Sequence, residues 1–170
     1  MNAVVIPEAV RTRVDAFVAR PRRLLINGEW CAARSGATFE VEDPATGRNF
    51  AVAAAGDAAD IDAAVKAARA AFENPKWAHM APSARARLLL KLADAIEANA
   101  EELALLETLD NGMPLMLARF GSVLGAAESL RYHAGWATKL NGETVTLSAP
   151  GESLAYTLRE PVGVVGQIVP

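Results

Sequence analysis

The sequence predicts an α/β protein built from a small antiparallel β unit, a block of four helices, a β arm and a strand of a parallel sheet. Three observations carry this prediction. Short β-rich runs bounded by turn residues lie near the amino terminus, and a long stretch with helical spacing of apolar residues follows them. Finally, residues 161–170 are almost continuously apolar and rich in valine, which is typical of a strand buried on both faces.

The first predicted element is a short amphipathic helix over residues 7–19, followed by the basic run Arg20-Pro21-Arg22-Arg23. The basic run has two interpretations. It is either a solvated turn that ends the helix, which we favour, or a basic binding patch. The apolar side of the helix consists of Val10, Val14, Phe17 and Val18.

The β unit is predicted from three short runs. Residues 24–30 form a strand with an Asn27-Gly28 turn inside it, and residues 38–42 alternate around two apolar positions. Residues 43–47 (DPATG) form a turn by their chemistry, and residues 50–55 return as a further strand. We expect these runs to form one antiparallel meander.

The first two helices of the block have clear amino-terminal signals. Asp57 is the expected N-cap of the first, with Asp60 three residues on as a variant of the capping box. Pro82 begins the second helix, because its missing N–H costs nothing at the first position. The apolar positions expected in the core are Ile61, Ala64, Val65, Ala68, Ala71 and Phe72 in the first helix, and Leu89, Leu92, Ala93 and Ile96 in the second.

The third helix is predicted from about Glu101, with acidic residues in its first turn, to Asn111, with Gly112 as its left-handed C-terminal residue. The fourth spans roughly residues 117–139. Beyond it, residues 144–147 and 154–158 are β-rich and can form an antiparallel pair. The fourth helix is expected to bury Phe120, Val123, Leu124, Ala127, Leu130 and Ala134.

Composition excludes several classes of protein. The chain has 170 residues, 52% of them apolar, and a net charge of -3, so nothing draws it generally to nucleic acid or to an anionic membrane. Its one cysteine, Cys31, excludes an internal disulfide and a cysteine-based zinc cluster, and it fits a reducing compartment. Residues 1–20 lack an uninterrupted apolar segment, and no window approaches the roughly 20 apolar residues of a membrane span. We expect a cytoplasmic protein.

The side chains that could carry chemistry have simpler structural interpretations. Cys31, His79 and His133 each lack a partner base or a second metal ligand nearby in the sequence, so we assign no catalytic or metal-binding residue. The glycines of residues 163–166 lie inside an apolar run rather than at a helix start, which is the wrong place for a phosphate loop. A role in the turn is favoured for Asp110 over a role in holding a cation.

The pair Tyr132 and Trp136 stands four residues apart on the fourth predicted helix. An aromatic pair with this spacing indicates a core or an interface more often than a cofactor site. From the residues alone, the chain is therefore a cytoplasmic α/β protein without a visible active site.

Six stretches, taken together, resemble the NAD(P)-dependent aldehyde dehydrogenase superfamily. Each stretch is weak alone, but the six occur in the order and spacing of the amino-terminal part of such enzymes. Met113 departs from the pattern, because many members carry lysine after Asn-Gly. The stretches are residues 25–30 (LINGEW), 43–47 (DPATG), 60–65 (DIDAAV) with 67–69 (AAR), 105–112 (LLETLDNG), 131–136 (RYHAGW) and 160–170 (EPVGVVGQIVP).

The resemblance implies an aldehyde-dehydrogenase-like fold in four segments. Residues 1–23 are a helix and linker, and residues 24–140 are the amino-terminal part of a cofactor-binding domain. Residues 141–160 form a β arm, and residues 161–170 form the first strand of a Rossmann-like sheet. The arm, through residues 143–159, is implied to join subunits into a homo-oligomer.

The resemblance also implies a reaction and some site residues. In the family a cysteine thiolate attacks the aldehyde, hydride passes to NAD or NADP, and a glutamate activates the water that releases the acid. Ile168, Val169 and Pro170 match the strand end beside the cofactor pocket. Gly121 and Gly125 match positions that face the substrate tunnel, where small residues would admit a bulky, aromatic aldehyde.

The family's cysteine, glutamate and asparagine match no position of this sequence, and Cys31 does not lie at the place of the nucleophile. We therefore expect an amino-terminal fragment that is inactive alone and binds cofactor weakly or not at all. Two alternatives stay open: a non-catalytic interaction module, and half of a split enzyme completed by a second chain.

Overall fold

The computed structural model describes residues 6–169 of the chain. Its elements follow the predicted order, with one short helix first, two β hairpins next, then the other helices and a short β pair last. The helices are α1 Glu8–Val18, α2 Ala58–Glu73, α3 Pro75–Ala78, α4 Pro82–Ala98, α5 Ala100–Asn111, α6 Leu115–Leu117 and α7 Leu124–Ala134, with a π-helical segment at Ala118–Val123; the strands are β1 Leu24–Ile26, β2 Glu29–Cys31, β3 Thr38–Asp43, β4 Arg48–Ala54, β5 Thr144–Val145 and β6 Ala155–Tyr156.

The amino-terminal helix α1 packs on α5. Val10 and Val14 are buried against Leu105, as the apolar spacing of this helix predicts. At the edge of the contact, the Arg13 guanidinium lies 3.0 Å from a carboxylate oxygen of Glu102. The linker that leads into the first hairpin is held by β4, because the Arg22 N–H donates to the Val52 carbonyl and the Arg22 carbonyl accepts from the Ala54 N–H.

The predicted β meander is two separate hairpins. Asn27 and Gly28 both have positive φ, 54° and 81°, so β1 and β2 are joined by the two-residue turn that their sequence predicts. Strands β3 and β4 pair in a second two-stranded sheet. The expectation of one meander is wrong because the chain turns between β2 and β3, where Gly36 N–H donates to the Ala33 carbonyl instead of extending a ladder.

Helix α2 has the predicted capping box but not the predicted burial. The Asp57 carboxylate accepts from the N–H of Ala59, and Asp60 accepts from the N–H of Asp57. The expected core residue Ile61 is 61% exposed, and Val65 is exposed as well. The burial prediction is wrong because α2 packs against the narrow β1 and α3, and no wide sheet covers its apolar face within residues 6–169.

Helices α4, α5 and α7 form the packed part of the helical block. Small residues lie at the contacts: Ala93 in α4 and Ala104 in α5 are fully buried, and Ala127 in α7 is almost so. Leu92, by contrast, was expected in the core and is exposed, because the buried side of α4 is the one that faces α7. The close approach of these helices depends on alanine rather than on large apolar side chains.

The predicted fourth helix is interrupted and shorter than expected. It consists of α6, a π-helical segment and α7, and it ends at Ala134 rather than near residue 139. Phe120 is exposed, although its spacing predicts burial, because the wider π turn changes the angular position of the residues within it. The carboxyl end of α5 follows the sequence prediction, with Gly112 in the left-handed region at φ 76°.

The predicted strand pair of the β arm is present, whereas the predicted strand of the last segment is not. Strands β5 and β6 pair antiparallel, and the Thr157 N–H extends the pair by donating to the Glu143 carbonyl. Residues 161–169 form no strand, and Ile168 is 102% exposed. The expectation of a buried strand is wrong for these residues because a strand exists only with ladder partners, and no neighbouring strand lies beside it in the described part of the chain.

None of the helices in residues 6–169 combines the length and the apolar character needed to cross a membrane. The division into four segments stays a prediction, because the bounds of the helices and strands do not test where one segment ends and the next begins.

Candidate functional site

The π-helical segment holds the first candidate surface. It places Gly121 within a widened turn, and Gly125 follows at the start of α7. A Cβ added at Gly121 would lie 3.0 Å from the Cδ1 of Leu117, whereas one added at Gly125 would meet nothing within 4 Å. Open space therefore lies beside Gly125. π turns inside α-helices are frequent at functional sites, so this local geometry marks the surface independently of the two glycines.

Helix α5 packs against one side of the π-helical segment. Ala100, Ala104, Ala118 and Val123 form one buried apolar cluster between them. Arg119 forms an ion pair with Glu101, and its guanidinium lies 4.8 Å from the ring centroid of Phe120. No atom of α5 lies within 4 Å of a Cβ built at Gly121 or Gly125, so α5 does not pack against the two glycines.

The last segment forms a second surface with α2 and α3. A cavity of about 580 Å³ lies between these elements, with the aromatic rings of Phe72 and Trp77 on one side and Val164 on the other. Gly163 adopts φ 119°, a backbone conformation that favours glycine, and a Cβ there would make only an ordinary contact, at 3.8 Å, with a nitrogen of Arg69. Neither Gly121 nor Gly125 lines this cavity.

The residues predicted to border a cofactor lie at the exposed end of that segment. Ile168 and Val169 are exposed, and Pro170 lies outside the described residues. Gly163 and Gly166 lie in irregular chain and not at a helix start, so residues 161–169 offer no helix N-terminus to the phosphates of a dinucleotide. Ile168 and Val169 can supply one apolar wall of a cofactor site but not the whole site.

The nucleophile and base candidates are apart from both surfaces. The Cys31 thiol donates to the Leu24 carbonyl at 3.6 Å across the first hairpin. His79 is exposed at the end of α3, and His133 Nδ1 lies 2.8 Å from the Ser129 carbonyl oxygen within α7. None of these contacts joins a thiol to a base, and the described residues contain no group of three or more His, Cys, Asp or Glu placed to hold a metal ion.

Asn111, the last residue of α5, stabilises the turn that follows the helix. The Asn111 side-chain oxygen accepts from the Met113 N–H at 2.8 Å, and Asp110 is exposed beside it. Tyr132 and Trp136 have their ring centroids 6.4 Å apart at 61°, and both rings are exposed. The aromatic pair therefore lies on a surface and not in the core of the described residues.

Two features were missed from the sequence. The π turn had a weak signal, a glycine and a serine inside an otherwise helical pattern, which also fits an ordinary helix. The cavity beside Phe72 and Trp77 had none, because it depends on where residues 163–165 return to α2.

Comparison with known proteins identifies the family. The family model "Aldehyde dehydrogenase family" matches residues 30–170. Aldehyde dehydrogenase 1 of Tanacetum cinerariifolium is 49% identical over 155 residues, which are 91% of this chain and 31% of that protein. Phenylacetaldehyde dehydrogenase of Pseudomonas fluorescens is 47% identical over 154 residues, 88% of this chain and 31% of that protein.

Solved structures agree with the sequence comparison. The NAD⁺ complex of the aldehyde dehydrogenase from Bacillus cereus superposes with a TM-score of 0.84 at 45% identity, covering 95% of this chain and 32% of that one. The apo form of an indole-3-acetaldehyde dehydrogenase gives a TM-score of 0.81 at 37% identity, over 94% of this chain and 37% of that one. The chain thus spans about a third of the length of the relatives that it matches. It belongs to the aldehyde dehydrogenase family.

Proposed function

We propose that this chain works as the amino-terminal part of an NAD(P)-dependent aldehyde dehydrogenase, which oxidises an aldehyde to a carboxylic acid. The observation that carries the proposal is the superposition on the Bacillus cereus NAD⁺ complex, over 95% of this chain. The described residues contribute surfaces to such an enzyme. They supply no cysteine–base pair for the chemical step.

The substrate-facing contribution is the wall at Gly121 and Gly125. Open space beside Gly125 leaves room for a large group on the aldehyde. The 47% identity with a phenylacetaldehyde dehydrogenase supports an aromatic aldehyde as the substrate class. In this proposal, the two glycines set the width of the tunnel and take no part in bond making.

The cofactor-facing contribution is the edge formed by Ile168, Val169 and Pro170. A bound nicotinamide accepts hydride from the substrate in this class of reaction. The chain's own residues would shield one side of the ring from water, because Ile168 and Val169 present apolar side chains that nothing else covers.

The arm supplies the contact between subunits. Residues 143–159 are almost wholly exposed, and their two paired strands are only two residues long, so unpaired edges remain on both sides. Pairing with strands of another subunit would satisfy these edges and cover Leu154 and Leu158, which are exposed here. The single cysteine favours a cytoplasmic place for the assembly.

A chimera tests the proposal. Residues 30–170 of this chain replace the matching residues of the Pseudomonas fluorescens phenylacetaldehyde dehydrogenase, and NADH formation is followed with phenylacetaldehyde as substrate. We expect turnover within about tenfold of the parent enzyme, because the exchanged part supplies walls rather than reacting groups. A folded, oligomeric chimera without turnover would contradict the proposal.

The isolated chain is the matched control. We expect no NADH formation from it with the same aldehyde, since the described residues contain no thiol beside a base. Turnover that persists in the Cys31→Ser variant of the isolated chain would show a different chemistry.

A further inference from the structure

A second cavity, of about 570 Å³, lies between the end of α1 and the first hairpin. Its volume is within the range of small-molecule sites, which is about 300–1,000 Å³. Its lining is unusual in combining three arginines with two aromatic rings and containing no acidic residue. The lining residues are Phe17, Arg20, Pro21, Arg22, Arg23 and Trp30.

One arginine is fixed and the others are available. The Arg22 guanidinium lies 4.2 Å from the ring centroid of Phe17, and its Nε donates to the Arg20 carbonyl at 2.8 Å. Arg20 and Arg23 are exposed and form no ion pair with another residue of 6–169. The cavity therefore carries positive charge that the described residues do not neutralise.

An aromatic face completes the cavity. Trp30 lies in β2, paired with Leu25 across the hairpin, and its side chain is 63% exposed. The ring of Phe17 is already covered by Arg22, so the Trp30 ring is the free stacking surface of the lining. A planar group stacked on Trp30 would place its substituents among the arginine side chains.

A solvated turn explains part of this arrangement. Positive charge just beyond the carboxyl end of α1, which ends at Val18, is favourable for the helix dipole. That effect is confined to the last turn and requires neither a cavity nor an exposed indole. The lining also contains none of Gly121, Gly125, Ile168 and Val169. The cavity therefore lies apart from the surfaces that the family proposal uses.

We propose that this cavity binds a small anionic ligand with a planar ring, of the class of nucleoside phosphates. The ring stacks on Trp30, and the phosphate accepts hydrogen bonds from Arg20 and Arg23. Arginine suits this role because its planar fork pairs with two phosphate oxygens at once. The proposal is independent of aldehyde oxidation, since none of the lining residues belongs to the tunnel wall or to the cofactor edge.

The experiment is calorimetric titration of the purified chain with ADP. We expect one site per chain, and a loss of affinity of about tenfold in Arg20→Gln and again in Arg23→Gln, because each removes one charged hydrogen bond. Arg87→Gln is the matched control: Arg87 is exposed in α4 and away from the cavity, and the affinity should not change. Trp30→Leu should weaken ADP more than inorganic phosphate.

Four outcomes would overturn the proposal. They are equal binding of adenosine and ADP, equal binding of inorganic phosphate and ADP, ADP binding that survives both arginine substitutions, and binding of a short single-stranded oligonucleotide where ADP does not bind. Circular dichroism of each variant separates a lost contact from a lost fold. The substituted arginines are exposed, so the spectra should match the parent chain.

Discussion

The Asp60 carboxylate accepts a hydrogen bond from the Arg34 N–H at 3.1 Å, which joins the first turn of α2 to the loop after the first hairpin. Asp60 is 4% exposed and also accepts from the Asp57 N–H at 3.0 Å. One side chain thus caps a helix and holds a loop that is 26 residues away in sequence. This contact helps to turn the chain away from β2 before β3 begins.

Asp60→Ala should lower the free energy of unfolding by about 2 kcal/mol, because two backbone N–H groups lose their acceptor. Chemical denaturation followed by circular dichroism measures the change. Asp62→Ala, at an exposed position of the same helix, is the control and should change the free energy by less than about 0.5 kcal/mol. Equal effects of the two substitutions would contradict the assigned role of Asp60.

Arg131→Met should lower the melting temperature, because Arg131 joins α7 to two carboxylates of α4. Its guanidinium contacts Glu97, Asp94 at 3.0 Å and, within its own helix, Glu128 at 2.9 Å. The three carboxylates are exposed, so the loss should shrink in about 1 M salt. Thermal melts at low and high salt measure it, with Arg87→Met as the unpaired control.

The effect of Arg131→Met should not change between about pH 7 and about pH 9. The hydrogen bonds that the Arg131 guanidinium donates to Glu97 and, next in size of effect, to Asp94 raise the pKa of Arg131 above its ordinary value. A raised pKa of a cation gives stability that is complete below the ordinary pKa and is lost only above it. The pH range in which this stability is lost lies well above pH 9. A difference in melting temperature between the parent chain and Arg131→Met that becomes smaller from pH 7 to pH 9 would therefore contradict the role assigned to Arg131.

Gly112→Ala should destabilise the chain more than Gly47→Ala. Both glycines have positive φ, 76° and 67°, so alanine strains the backbone at each by about 1–2 kcal/mol. At Gly112 the new Cβ would also lie 3.0 Å from Pro44 Cγ, while at Gly47 it would meet nothing within 4 Å. The difference between the two free energies of unfolding measures the contact of α5 with the turn at Pro44. Equal free energies of unfolding for the two variants would show that the Pro44 ring moves away from the new Cβ at little cost.

Gly125→Leu should narrow the proposed tunnel. In the chimera with the Pseudomonas fluorescens enzyme, we expect kcat/KM for phenylacetaldehyde to fall at least tenfold and that for acetaldehyde to change little, because the leucine fills space that the small substrate does not use. Gly121→Ala is a milder comparison, since its Cβ meets the flexible end of Leu117. An equal loss for both aldehydes would place Gly125 away from the tunnel.

Features that depend on a few neighbouring residues can be predicted from the sequence alone. The Asn27-Gly28 turn, the capping box at Asp57 and the left-handed end of α5 at Gly112 occur where their residue types predict them. Each depends on hydrogen bonds or φ preferences within four residues, so no distant partner is needed. The family could likewise be predicted, because its six motifs keep their order in the chain.

Features that depend on residues distant in the sequence could not be predicted and are seen only in the tertiary structure. Periodicity placed Ile61 on an apolar face of α2, but burial needs a covering layer, and none covers that face within residues 6–169. Residues 161–169 have the composition of a strand and remain without ladder partners. The cavity at Arg20, Arg23 and Trp30 arises only when α1 and the hairpin meet. The composition of a segment limits the secondary structures that it can form, and the segments that pack against it determine which of these it adopts.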